Sequence, residues 1–196
     1  MIRLAKGQKD WVLGFLDEVW WSRLAQPNLS SWTADKPLRL VENQIIKSDT
    51  EPKALCCYGL LRVDLNQVML RFVDGRPVSS VTINFLDWVC QRLSSEGKKV
   101  LVLVWDNATW HISKMVRNWI RIHNKKVKCE GEGGVRIIKC YLPVKSPWLN
   151  PIEPRWVHSK RAVVEPARTL SAVELINRIC NYFGVQHFEH LKQKVS

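Results

Sequence analysis

The chain has no apolar run long enough to span a membrane and no secretory h-region, so neither a bilayer span nor an exported precursor fits it. The expectation is a cytoplasmic product with no membrane partner. Its six cysteines, at 56, 57, 90, 129, 140 and 180, contain no CxxC pair, and an intracellular setting disfavours disulfides. They read better as core or incidental thiols than as a zinc site built from Cys129, Cys140 and a histidine. A glycine-rich phosphate loop is missing, as is any nucleophile–base signature, which argues against an unrelated small-molecule enzyme. Negative charge is scarce: 18 Asp and Glu stand against 30 Lys and Arg, a formal charge of +12. Such an excess creates an attractive field for a polyanion.

What is present suits one substantial core. The 196 residues are 46% hydrophobic and include ten Trp, enough for a single domain over 1–196 after a basic lead-in at 1–10. Two short apolar runs stop at a carboxylate: VLVLVWDN at 100–107, which reaches Asp106, and WVLGFLDE at 11–18, which reaches Asp17. Runs of this length suit buried strands, and strands buried on both faces belong in a sheet covered by helices. The first strand is expected over 11–16. Glu18 is expected to face away from Asp17, because neighbouring strand residues point to opposite faces, which makes Asp17 the preferred ligand with Glu18 as the alternative.

Further elements follow in order. Ala54–Val63 and Val68–Val73 read as strands around a turn at 64–67, and Asp74-Gly75 is a turn signal. Asp64 and Asp74 are read as turn residues. Val81, Phe85, Trp88, Val89 and Leu93 recur at helical spacing. The following strand at 100–105 completes a strand–helix–strand order typical of α/β proteins. Val116, Trp119, Ile120 and His123 share a second helical face, and 135–142 returns as a strand. Ser171 with Glu174 caps a last helix with an apolar stripe of Val173, Ile176, Cys180 and Phe183.

A third acid, Glu153, lies in SPWLNPIEPRW. Asn150 suits a helix N-cap and Pro151 the first helical position, which places Glu153 on the first turn. An Asn followed three residues later by Glu is also a capping box and needs no catalysis to explain it. Two acids at strand ends and one on a following helix are a usual means of holding a pair of Mg²⁺ ions for phosphodiester cleavage.

The strings LDE (16–18), WDNATWH (105–111) and YLPVKSPWLNPIEPRW (141–156), then KR at 160–161, resemble the catalytic domain of the IS630/Tc1/mariner transposases. The resemblance implies a ribonuclease-H-like α/β fold, a mixed central sheet of about five strands flanked by helices. It implies Asp17, Asp106 and Glu153 as catalytic, metal-binding acids for two Mg²⁺ ions, with Mn²⁺ as a substitute. A glutamate in third place favours the IS630 branch. Glu18, Asn107, His111 and Asn150 are candidates for supporting contacts around the acids. Helix-turn-helix modules precede the catalytic domain in the family, and here the first acid follows only 16 residues, so those modules are expected to be missing from this chain. The 46 residues between Asp106 and Glu153 exceed the family's usual spacing, and the extra length is assigned to a loop insertion at 125–134.

Basic residues follow two of the acids. Lys114, Arg117, Arg121, Lys125, Lys126 and Lys128 come after Asp106, and Arg155, Lys160 and Arg161 after Glu153. They could draw backbone phosphates toward the metals, positioning a duplex without reading its sequence; a solvated helix face is the plainer reading of the first group. Trp20, Trp21 and Trp32 could stack on frayed bases or simply pack. The function implied is cleavage at transposon ends and strand transfer to target DNA, by a prokaryotic, nucleoid-associated homodimer on double-stranded DNA. A non-transposing nuclease of the same fold and a catalytically inactive DNA-binding remnant are the alternatives.

Overall fold

The computed structural model describes residues 7–24, 48–129, 134–163, 165 and 168–193. Trp32 lies outside them. The elements are β1 (Trp11–Ser22), β2 (Ala54–Arg62), β3 (Gln67–Asp74), α1 (Ser79–Ser95), β4 (Val100–Trp105), α2 (Lys114–Cys129) and β5 (Arg136–Tyr141). After a 3₁₀ turn at Pro147–Leu149 come α3 (Glu153–Val163), α4 (Ala172–Phe183) and β6 (Leu191–Lys192). The strands form one six-stranded sheet in the order β5-β4-β1-β2-β3-β6. The β1/β2 and β2/β3 pairs are antiparallel, while β1/β4, β4/β5 and β3/β6 are parallel. This mixed sheet flanked by helices is the expected ribonuclease-H-like architecture. The sixth strand is an addition to the expected five: the chain after α4 folds back, and Leu191 pairs with Val73.

Strand alternation builds two cores. On one face Leu13, Phe15, Val19 and Trp21 of β1 pack with Ile152, Trp156, Leu175 and Ile179 from the α3–α4 side. On the other, Val12 and Leu16 pack with Phe85, Val89, Val116 and Ile120 from α1 and α2. Period-two alternation then dictates that Asp17 shares the α3–α4 face and Glu18 the α1–α2 face.

The first strand does not stop at Asp17 but continues to Ser22. Pairing with β4 ends at Phe15↔Val104, whereas pairing with β2 runs on through Asp17↔Gly59 to Ser22↔Ala54. Asp17 is therefore mid-strand, placed where its β4 neighbour has ended and one flank is open. Trp20 and Trp21 belong to the same strand; Trp20 is exposed, and Trp21 is buried with its indole N–H donated to Cys57 Sγ at 3.1 Å.

Other expectations shift locally. Lys125 to Cys129 continue α2 instead of opening a loop, because Asn124 is bonded to both the N–H and the C=O of Ile137 at 2.8 Å and holds the helix against β5. Val116 and Ile120 are buried as expected, and Trp119 stacks on His123 at 4.9 Å. Ser171 does cap α4, accepting from Glu174 N at 3.1 Å, and Gly184 ends it in the left-handed conformation at φ 63°. Val173 is exposed, and the buried stripe is Leu175, Ile176, Ile179 and Cys180. Asp64 pairs with Arg62 and Lys98, and Asp74 with His190, both in structural roles. Among the described residues no helix is long and apolar enough to cross a membrane.

Candidate active site

Asp17 from mid-β1, Asp106 one residue past β4 and Glu153 at the first turn of α3 line one cavity of about 400 Å³. Asn107, Asn150 and the loop from Leu142 to Pro147 line it as well. Parity explains the meeting. Val102 and Val104 of β4 lie on the α3–α4 face, and Asp106 continues that alternation onto the face of Asp17.

The loop that closes the cavity is tied down at both ends. Asn107 Nδ2 donates to the Leu142 carbonyl at 2.7 Å, so this Asn reaches across to the loop rather than back to its own turn. Asn150 Nδ2 donates to the Leu16 carbonyl at 3.3 Å, beside Asp17. Between them Lys145 holds a positive φ of 57°, uncommon for a non-glycine residue and a sign of a constrained loop.

Asn150 is not the side-chain cap that its sequence position implies. Its backbone carbonyl accepts from Glu153 N at 3.1 Å, but its side chain turns to β1, and the helix begins at Glu153. The capping-box explanation of Glu153 therefore fails on the Asn side. Asn150 is 2% exposed and its Oδ1 has no hydrogen-bond partner. A buried acceptor without a donor is costly unless a ligand or water meets it.

Electrostatics mark the cavity as a place for positive charge. Burial, followed by the charges of Glu153 and Glu18, pushes Asp17 up to about 7 even though Trp156 Nε1 donates to its Oδ2 at 3.0 Å. Burial also raises Glu153; Lys160 opposes the shift and Asp106 adds to it. Asp106 is half-exposed and held below the usual carboxylate value, first by its bond to His111 and despite partial burial. Its Oδ1 accepts from His111 Nδ1 at 2.7 Å and from Ala108 N at 2.9 Å.

Glu18, Trp110 and His111 form a layer behind the cavity. His111 is fully buried and stacks on Trp105 at 4.7 Å. Burial alone would lower its pKa, but the bonds to Asp106 and Glu18 and their charges outweigh it and push it up to about 9. It supports an acid and lines no part of the cavity itself.

A donor set of three carboxylates and an unpartnered amide oxygen is all oxygen, which suits a hard divalent cation. Among the described residues, however, no three His, Cys, Asp or Glu side chains form a ready ligand cluster. Two of the acids are instead engaged with side chains outside the set, Asp106 with His111 and Asp17 with Trp156. Cys129 and Cys140 are free thiols, the first exposed and the second partly buried.

The basic residues divide. Lys114 and Arg117 open α2 on the cavity side, and Arg117 acts electrostatically on Tyr141 at the end of β5. The 16 residues of α2 span about 24 Å back to the start of the parallel strand β5. Lys125, Lys126 and Lys128 therefore sit toward the opposite end of the strands from the cavity, and Arg121 bonds to Asn118. On α3, Lys160 faces Glu153 electrostatically, while Arg155 Nη2 donates to Asn66 Oδ1 at 2.6 Å, and Arg161 is exposed.

Two further residues shape the site without having been singled out as functional by the sequence pattern. Trp156 grips Asp17, and its position three after Glu153 on one helix face was the available signal. Gly59 lies opposite Asp17 in the sheet and leaves room for that indole: a Cβ there would stand 2.4 Å from Trp156 Cη2. Only the fold reveals that fit.

The family model that matches the chain is that of a DDE superfamily endonuclease, over residues 28–176. The match includes Asp106 and Glu153 and begins beyond Asp17. Among solved structures, the Mos1 transposase paired-end complex with left transposon end is similar, with TM-score 0.61 and 14% identity, covering 94% of this chain and 51% of that one. The Mos1 mariner paired-end complex with Mn gives TM-score 0.59 at 12% identity, covering 89% and 48%. The corresponding complex with Mg gives 0.58 at 14%, covering 93% and 50%. The chain thus spans about half the length of these transposase chains, and the likeness is one of fold. No curated protein matches the sequence.

Proposed function

The chain belongs to the DDE superfamily of endonucleases, and from that premise we propose that its carboxylate-lined cavity is the catalytic centre of a DNA transposase. The observation that carries the reading is the arrival of Asp17, Asp106 and Glu153, from three separate elements, at one cavity. The reaction proposed is hydrolysis of phosphodiester bonds at transposon ends, followed by transfer of the 3′-hydroxyl to target DNA. The glutamate at position 153 supports the reading of an IS630-like branch, with residues 1–196 acting as one catalytic domain.

Asp17, Asp106 and Glu153 would hold two Mg²⁺ ions, or Mn²⁺ in their place, which supply Lewis-acid activation of the attacking oxygen and charge stabilisation at the leaving one. The fit rests on the oxygen donor set, on the unpartnered Asn150 Oδ1 and on the raised pKa of Asp17. The Mos1 complexes with Mn and with Mg support the same choice of metal. Trp156 and His111 fix two of the acids, and Asn107 and Asn150 fix the loop over them. Lys114, Arg117, Lys160 and Arg161 are the basic residues best placed to meet backbone phosphates of double-stranded DNA; Arg121, Lys125, Lys126, Lys128 and Arg155 would contribute a more remote field. A homodimer assembled on paired ends, in a prokaryotic cytoplasm, completes the proposal.

The test is nicking of supercoiled plasmid in Mg²⁺ or Mn²⁺, with binding followed separately by gel shift. Wild type should nick, and Asp106→Asn should bind DNA but lose cleavage by about a hundredfold or more. Cleavage that survives Asp106→Asn sinks the proposal. The second reading is a DNA-binding remnant without chemistry, which the lack of a ready ligand cluster among the described residues favours. It predicts DNA binding with no metal-dependent nicking by wild type.

A further inference from the structure

Two consecutive acids on β1 face opposite ways. Asp17 lines the cavity, whereas the Glu18 carboxylate is 8% exposed on the α1–α2 face and does not reach it. There Glu18 Oε1 accepts from His111 Nε2 at 2.8 Å and from Trp110 Nε1 at 3.1 Å. His111 presents its other nitrogen to Asp106 Oδ1 at 2.7 Å. Each ring nitrogen thus has a carboxylate oxygen within hydrogen-bond distance, one on either side of the imidazole. The ring, clamped flat against Trp105 at 4.7 Å, links an acid on β1 to one just past the C-terminal end of β4. Both bonds to Asp106 within this network, from His111 and from Ala108 N, fall on Oδ1. Oδ2 is thereby the oxygen left to a ligand.

We propose that Glu18 is a positioning residue that sets the orientation of Asp106 through His111. The inference rests on the proposed metal-binding role of the cavity and deepens it. Glu18 touches neither substrate nor metal. Its effect is to hold the imidazole by two points, so that Asp106 keeps one rotamer and offers the same oxygen each time. Partners of this kind, one bond removed from a ligand, typically change metal affinity or activity by 10–100-fold when lost. Trp110 N–H, donated to the same Oε1, limits the freedom of Glu18 in turn.

The experiment is Mn²⁺ titration followed by electron paramagnetic resonance on the full chain, together with the kinetics of plasmid nicking. Glu18→Ala should weaken Mn²⁺ binding about 10–100-fold and lower kcat while KM for DNA stays unchanged. Glu18→Gln, whose amide oxygen can still accept from His111, should recover most of the affinity. In the Asp106→Asn background, Glu18→Ala should cost nothing further, because its route to the metal is gone. Should Glu18→Ala fail to fold, Glu18→Asp replaces it: the charge is kept but withdrawn by one methylene, and affinity should again fall. A folded Glu18→Ala or Glu18→Asp variant with wild-type affinity overturns the proposal, as does a full additional loss in the Asp106→Asn background. Wild type that binds no Mn²⁺ overturns the metal reading of the cavity and this inference together, so the two failures are distinguishable.

Discussion

Gly59→Ala is the substitution that most directly couples the sheet to the cavity. The new Cβ would lie 2.4 Å from Trp156 Cη2, 2.6 Å from its Cζ2 and 3.2 Å from Ile152 Cδ1. Carbon atoms prefer separations of about 3.5 Å or more, so the indole must retreat by roughly 1 Å. It has little room: its ring meets Trp21 edge-on at 6.1 Å and Phe183 at 5.6 Å. Overpacking a well-filled core costs about 1–3 kcal/mol. For a chain of this size, that lowers Tm by about 2–12 °C.

The same displacement stretches the 3.0 Å bond from Trp156 Nε1 to Asp17 Oδ2, so Mn²⁺ binding should weaken along with stability. Thermal and guanidinium unfolding would measure the first effect, and Mn²⁺ titration the second. The discriminating partner is Trp156→Phe, which removes the far ring carbons that clash. Gly59→Ala and Trp156→Phe should each destabilise the chain, but together by less than the sum. A Gly59→Ala protein with wild-type Tm, or strictly additive costs, would refute the claim that this glycine exists to seat the indole.

Three further outcomes are expected. Asp17 is raised from 3.8 to about 7, so the folded state holds its proton more tightly than the unfolded chain; in metal-free buffer stability is lost as pH rises through about 7. Asp17→Asn, neutral throughout, should gain Tm over wild type at pH 8 but not at pH 4, and parallel Tm–pH curves would contradict this; Mg²⁺ at pH 8 should stabilise wild type alone. Asn124→Ala removes both bonds to Ile137 and should cost about 1–3 kcal/mol, visible in guanidinium unfolding. Lys114→Glu with Arg117→Glu should weaken DNA binding and flatten its salt dependence by about two phosphate contacts, and an unchanged slope in gel-shift titrations would remove these residues from the interface.

Much of the scaffold was legible before folding was considered. The strand at 100–105, the helix with Phe85 and Val89 on its buried face, and the Ser171 cap all arise from short-range preferences. Periodicity, turns and caps act over a few residues and can be read from a string. The opposite facing of Asp17 and Glu18 follows from strand geometry alone. The meeting of the three acids was implied by motif resemblance, and parity on β1 and β4 accounts physically for the shared face of Asp17 and Asp106.

Long-range partnership decided the rest. The first strand runs past Asp17 because β2 pairs with it there, through Ser22↔Ala54. Asn150 spends its side chain on the Leu16 carbonyl, 134 residues earlier, instead of on its own helix. Trp110 reaches Glu18 across 92 residues, and Trp156 reaches Asp17 across 139. The sequence by itself determined where most strands and helices lie and which acids are available, but not β6, the far end of β1 or the helical Lys125–Cys129. Only the tertiary structure decided which side chains hold those acids, because a hydrogen bond between distant residues depends on the order and register of the strands that carry them.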